Sequence, residues 1–227
     1  MSVKKTVQLL TVLALAGCGA STPSIDTSAD AEMTFDGLYP LKGTVADQAW
    51  SRPDVDLTQF SKIMLQSVGI EYRPGGESGR RYTARSSADH YEVTDRQKEA
   101  FANIMREAFL EELASSEHFE IVTEAGPDVL LIRGGLLDVV SFVPPEPIGA
   151  RSSIYLSRVG EATLVIELRD SITETILARA IDRRAAEDAL GLQESNRATN
   201  TAEVRRLART WARLLRTRLD EFAAPAE

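Results

Sequence analysis

The chain has 227 residues, 34 of them acidic and 26 basic, giving a formal charge of −8, with 43% hydrophobic residues, one cysteine and two histidines. An acidic balance of this kind disfavours general binding to nucleic acid or to anionic lipid, although local basic faces remain open to it. One thiol excludes an internal disulfide framework and thiolate-rich metal sites, and His90 and His118 are too few for a His-rich zinc or copper centre, so no metal and no cofactor is expected.

In chain order, Lys4 and Lys5 form a short basic region, Val7 to Leu15 an apolar run too short to span a bilayer comfortably, and small residues follow. This is the layout of a cleaved secretory signal peptide over residues 1–17. Leu15-Ala16-Gly17-Cys18 closes the run and resembles the lipobox of bacterial lipoproteins. The resemblance implies that Cys18 is alkylated with a diacylglycerol and becomes the new N-terminus, a chemistry that suits a nucleophilic thiolate. It also implies attachment to the membrane through lipid, since two or more acyl chains give lasting anchorage where one does not. Gly19 stands where an acidic residue would resemble an inner-membrane retention signal, so the expected address is the outer membrane, facing the periplasm. Loss of Lys4 and Lys5 with the leader takes the charge from −8 to −10.

Residues 18–33 are rich in turn formers and poor in apolar side chains, and read as a flexible tether with a random-coil span of about 20 Å. A single domain is expected over residues 34–224, large enough to bury roughly 70% of its unfolded surface. From Met33 to Pro53, Phe35, Leu38, Tyr39, Leu41, Val45 and Trp50 are too apolar to stay solvated, while Gly37, Pro40 and Gly43 forbid a helix, so this stretch is expected to be an irregular strap with Trp50 as its plug. Ser61 to Tyr72 is apolar enough to predict a central strand. The run from Gly75 to Asp89 mixes glycine, serine and arginine and predicts an exposed loop, because no Lys-Ser/Thr pair or helix start follows its glycines as phosphate binding would require.

Thr94-Asp95-Arg96-Gln97 forms a capping box and opens a helix whose stripe is Phe101, Ile104, Met105, Ala108, Phe109 and Leu113. Phe119 to Val122 predicts a short edge strand, and Val129 to Val143 a long one with a bulge or bend at Gly134-Gly135 before Pro144 and Pro145. Ala162, Leu164, Ile166 and Leu168 alternate with polar residues in a half-buried strand, and Ile176, Ala178 and Ala180 carry its hairpin return. Glu187 to Ala198 reads as a loop, and Asn200 to Glu203 as the cap of a last helix with the stripe Val204, Leu207, Ala208, Trp211, Leu214, Leu215, Leu219 and Phe222. The sum is an α+β fold: one domain with an antiparallel-rich sheet and two long helices packed on one face.

Besides the lipobox, Phe60-Ser61-Lys62-Ile63-Met64-Leu65 leading to Val68, and Gly160-Glu161-Ala162 through Glu167-Leu168-Arg169-Asp170-Ser171-Ile172-Thr173, resemble the DUF3313 bacterial lipoproteins, a family of unknown function. Where related sequences tend to place Thr-Gly at the hairpin turn, this chain has Thr173-Glu174, which leaves the turn type open.

Candidate chemistry is sparse. His90 beside Asp89 with Ser86 or Ser87, or His118 beside Glu117 with Ser116, has neither nucleophile elbow nor triad context. Glu111-Glu112 and Glu187-Asp188 read as solvated faces, since consecutive helix residues do not face each other. Arg205, Arg206, Arg209 and Arg213 make one possible binding face on the last helix, for anionic lipid or an acidic partner, against the favoured reading of a core-packed helix with a soluble outer face. The expected function is a non-enzymatic binding or accessory component of an envelope assembly or transport system with an envelope protein as partner; the alternative is a periplasmic hydrolase of cell-wall material.

Overall fold

Long alternating strands need a partner layer for their apolar face, and two amphipathic helices supply it. The computed structural model describes residues 23–28, 30–74, 90–144, 153–187 and 191–223. The leader with Leu15 to Cys18, the stretch 75–89, the prolines from 145 and Asp188 lie outside the described residues.

The elements run β1 (Ser24–Ile25), β2 (Tyr39–Lys42), β3 (Gln48–Ser51), β4 (Lys62–Tyr72), α1 (Asp95–Leu113), β5 (Glu120–Val122), β6 (Val129–Ser141), β7 (Tyr155–Leu156), β8 (Arg158–Asp170), β9 (Ile176–Glu187), β10 (Gln193–Glu194) and α2 (Arg197–Ala223). Among the described residues, eight strands form one sheet in the order β1-β2-β3-β9-β8-β6-β4-β5, and β7 pairs with β10 separately. Pairing is antiparallel except that β4 runs parallel to both β5 and β6, the connection through α1 being long enough to return the chain in the same direction. The fold is therefore α+β, with a mostly antiparallel sheet and two helices in one domain.

Several expectations change. The stretch expected to be a tether is already in the sheet by Ser24, whose register partner is Lys42, and Lys42 also bonds Asp26 at 2.6 Å. The stretch expected to be a strap forms two strands, because β3 finds an open edge along β9, with Ala49 opposite Ala180 and Trp50 opposite Arg179. The strand expected to be central, β4, lies one place from the sheet edge, and its middle residues from Gln66 to Gly69 are exposed. Around Gly134-Gly135 the irregularities fall beside the glycines: the β4 register slips at Val68, and β6 bulges at Asp138, which has φ 54°. A Cβ on Gly135 would come within 2.6 Å of a Val68 methyl, so the glycine makes room for the slipped neighbour.

The capping box of α1 forms, with the Thr94 amide donating to Gln97 Oε1 at 2.8 Å and the Gln97 amide to Thr94 Oγ1 at 3.4 Å. The start of α2 is earlier than expected. Asn196 caps it, accepting at Oδ1 from the amides of Ala198 and Thr199 at 2.9 and 3.0 Å, and the helix reaches 27 residues. The hairpin turn between β8 and β9 places Glu174 at φ 56°, the left-handed region that glycine occupies without strain.

Ile63, Leu130, Ile132, Leu136, Leu164 and Ile166 from the sheet join Met105, Ala108 and Leu113 of α1 and Leu207, Ala208, Trp211 and Leu219 of α2 in one core cluster. The opposite face carries charge. Arg179 bridges Asp36 and Glu167, Glu167 also holds Arg169 at 2.6 Å, and Asp138 is clamped by Arg73 and Arg183. Burial works against the charge of Glu167, yet the guanidiniums of Arg169 and Arg179 outweigh it and keep its pKa below the ordinary value.

Candidate functional site

Between the C-terminal half of α2 and the β2-β3-β9 end of the sheet lies an open groove with a cavity volume of about 170 Å³. The cause is a run of small side chains. Ala49 on β3 is paired opposite Ala180 on β9, and Ala178, two residues earlier, points to the same side, so methyl groups face a helix that presents Trp211, Leu214, Leu215 and Leu219. Interiors are otherwise close-packed, and alanines this short leave the space between helix and sheet unfilled. Leu41, Val45, Leu164, Ile166, Leu168 and Phe222 complete an apolar lining, and Val45 and Phe222 stay 47% and 44% exposed.

One carboxylate stands in this lining. Asp182 continues the inward period of Ala178 and Ala180 along β9 and is only 7% exposed. Its charge is met on every side: the buried Trp211 donates its indole N–H to Asp182 Oδ2 at 2.7 Å, Arg184 Nε approaches the same oxygen, and the Asp47 amide donates to Oδ1 at 3.3 Å. A buried carboxylate with three donors is tolerated and fixes the depth at which α2 sits over β9. Arg184 and Arg218 border the groove with side chains 33% and 24% exposed.

The residues singled out in the sequence fall elsewhere. Cys18 and the rest of the lipobox lie outside the described residues, although Pro23, five residues beyond Cys18, lines the groove. Arg205 is exposed on α2, Arg206 lies 3.0 Å from Glu203, and Arg209 and Arg213 reach across to Glu111 and Glu112 of α1 at 3.1 and 3.5 Å. The acid pair and the arginine row thus meet along the seam between the helices, where such exposed pairs contribute about 0–1 kcal/mol each. His90 Nε2 donates to the Pro74 carbonyl at 2.8 Å, while Asp89, Ser86 and Ser87 lie outside the described residues. Ser116 is occupied structurally, donating to Asp220 of α2 and accepting from the amides of His118 and Phe119 at 3.2 and 3.1 Å. Among the described residues no group of three or more His, Cys, Asp or Glu side chains is placed to hold a metal, and no helix is long and apolar enough to cross a membrane.

The groove and its Asp182 floor were not among the sequence candidates. A signal was present: Ile176, Ala178, Ala180 and Asp182 share one parity along β9, which puts alanines and then a carboxylate on the face that must meet α2.

Fold and groove together define an α+β domain with an apolar concavity under its last helix. The chain belongs to the family described as "Protein of unknown function (DUF3313)", whose family model matches residues 30–215. No curated protein matches it. Among solved structures, a PelC dodecamer from Paraburkholderia phytofirmans aligns at 12% identity over 74% of this chain and 94% of its own, with a TM-score of 0.34. Protein XCC0632 from Xanthomonas campestris aligns at 10% identity over 75% and 93%, with a TM-score of 0.42. A neuraminyllactose-binding hemagglutinin homolog from Helicobacter pylori aligns at 11% identity over 72% and 83%, with a TM-score of 0.29.

Proposed function

We propose that this chain is an exported lipoprotein, acylated at Cys18 and held on the outer membrane facing the periplasm, which serves as a non-enzymatic binding or accessory component of an envelope assembly or transport system. The observation that carries the reading is Leu15-Ala16-Gly17-Cys18 at the end of an apolar leader, followed within a few residues by a domain bearing an apolar groove. A thiol at that place accepts lipid, and a groove whose one carboxylate is already bonded offers shape and apolar surface.

The test is metabolic labelling of bacterial cells with an alkyne palmitate, followed by membrane fractionation and capture of tagged protein from solubilised envelopes. Wild type is expected to carry label, sediment with outer membranes and bring down an envelope protein, while Cys18→Ala remains unlabelled. Label on Cys18→Ala would remove the anchor assignment, and turnover of cell-wall material by the purified chain would replace the accessory role with a hydrolase.

A further inference from the structure

We propose that the groove under α2 holds an acyl chain of a membrane phospholipid, with Arg184 and Arg218 at its border meeting the anionic headgroup. The choice of a membrane lipid as occupant rests on the anchored reading above.

Four observations favour this occupant. First, the lining is alkyl and aromatic, and its polar members are already bonded. Asp182 is satisfied by Trp211, Arg184 and the Asp47 amide, so the floor presents no waiting partner for a polar solute. An open apolar groove leaves alkyl and aromatic surface in water, and covering that surface with hydrocarbon is favourable. Second, the width comes from Ala49, Ala178 and Ala180, which keep the sheet wall flat. Third, the charged side chains at the border include Arg184 and Arg218, each shared with one carboxylate. Arg184 uses Nε on Asp182 and Nη2 on the Val45 carbonyl at 3.5 Å, and Arg218 uses one terminal nitrogen on Glu221. Each guanidinium has five N–H donors, so both retain donors for phosphate oxygens. Fourth, the chain is tied down beside the groove. Pro23 lines it, and the five residues back to Cys18 reach at most about 18 Å fully extended, so an anchored chain keeps the groove at the bilayer surface. Exposed Val45 and Phe222 give the alkyl chain an apolar entrance.

The experiment uses the full chain recovered from membranes. The protein is incubated with phosphatidylglycerol vesicles doped with a phospholipid carrying a diazirine on its acyl chain, photolysed, and digested for mass spectrometry. Intact native spectra are taken in parallel. The expected result is crosslinks on groove residues such as Ala180 and Leu215, one noncovalent phospholipid per chain, and at least a tenfold loss of groove crosslinks in Ala180→Phe, which fills the space. Phosphatidylcholine vesicles should label the groove less, and Arg184→Gln combined with Arg218→Gln should remove that headgroup preference. Groove peptides that stay unlabelled in wild type overturn the proposal, as does a groove filled by the chain's own Cys18 lipid or by a copurified polypeptide. The same intact spectra separate the two readings. Noncovalent lipid without covalent mass on Cys18 refutes the anchor and keeps the groove, and covalent lipid with an unlabelled groove does the reverse. Because the crosslink map is read on wild type, failure of Ala180→Phe to fold does not rescue the idea.

Discussion

Replacing Trp211 by Phe probes the contact that sets the height of α2 over the sheet. The indole is 3% exposed and donates to the carboxylate of Asp182, itself 7% exposed, at 2.7 Å. A hydrogen bond to a charged group contributes about 1.5–3 kcal/mol, and the smaller phenyl ring forfeits about 1 kcal/mol of packing. The expected loss is about 3 kcal/mol, a fall in Tm of about 6–12 °C for a domain of this size. Urea unfolding followed by far-UV circular dichroism should be run on wild type, Trp211→Phe, Asp182→Ala and the double variant. The cycle removes the cost of stranding Arg184, which the two Asp182→Ala proteins share. A coupling energy of about 1.5–3 kcal/mol is expected. A coupling below about 0.5 kcal/mol would show that Trp211 and Asp182 do not act as a pair and that α2 is positioned by apolar packing alone.

Three further outcomes are expected. Glu174→Gly should raise stability by roughly 0.5–1 kcal/mol, seen as a higher urea midpoint with an unchanged m value, because Glu174 sits at φ 56° and glycine removes that strain; a lowered midpoint would contradict the turn geometry. Glu167→Gln should cost about 1–3 kcal/mol at pH 7 through loss of the pairing with Arg169 and Arg179. Since the folded pKa of Glu167 lies below the ordinary 4.5, its stabilisation is present above that value and is lost as pH falls through the lower folded one, so the wild-type advantage should shrink in acid; a difference that persists unchanged at pH 2 would refute the ion-pair reading. Burial pushes the Tyr72 hydroxyl up to about 12 from 10.0, so that phenol stays protonated while the unfolded one ionises, and its contribution is lost as pH rises from 10 towards 12. Difference absorbance between wild type and Tyr72→Phe should therefore titrate near pH 12, and a midpoint near 10 would mean the hydroxyl is solvated.

The sequence made some elements legible because their signals are local. Thr94 and Gln97 mark the start of α1 within four residues, and the alternation from Ala162 to Leu168 is enough to show a half-buried strand. Where α2 begins was obscured, since Asn196, Arg197 and Thr199 are polar, Ala198 is small, and only the cap geometry separates the stretch from a loop. Strands β2 and β3 are four residues each, one contains Pro40, and β3 exists because β9 offers it an edge from more than a hundred residues away. The apolar run of β4 predicted a central strand, but β4 lies next to the edge and Val68 is exposed.

The groove was the hardest feature to read because it is missing volume rather than a motif. Ala49, Ala178 and Ala180 are unremarkable singly, and only the antiparallel register brings the first against the third, beneath α2. The arginines of α2 show the converse. Their basic face was plain in the sequence, but its pairing with Glu111 and Glu112 depends on how two helices distant in the chain lie side by side.

The most direct test is an experimental structure of the full chain recovered from bacterial membranes, refined at the interface between α2 and β9. The expected result is elongated alkyl density between Leu215 and the methyls of Ala178 and Ala180, with headgroup density beside Arg184 and Arg218. An empty groove, or α2 settled directly onto those alanines, would contradict it.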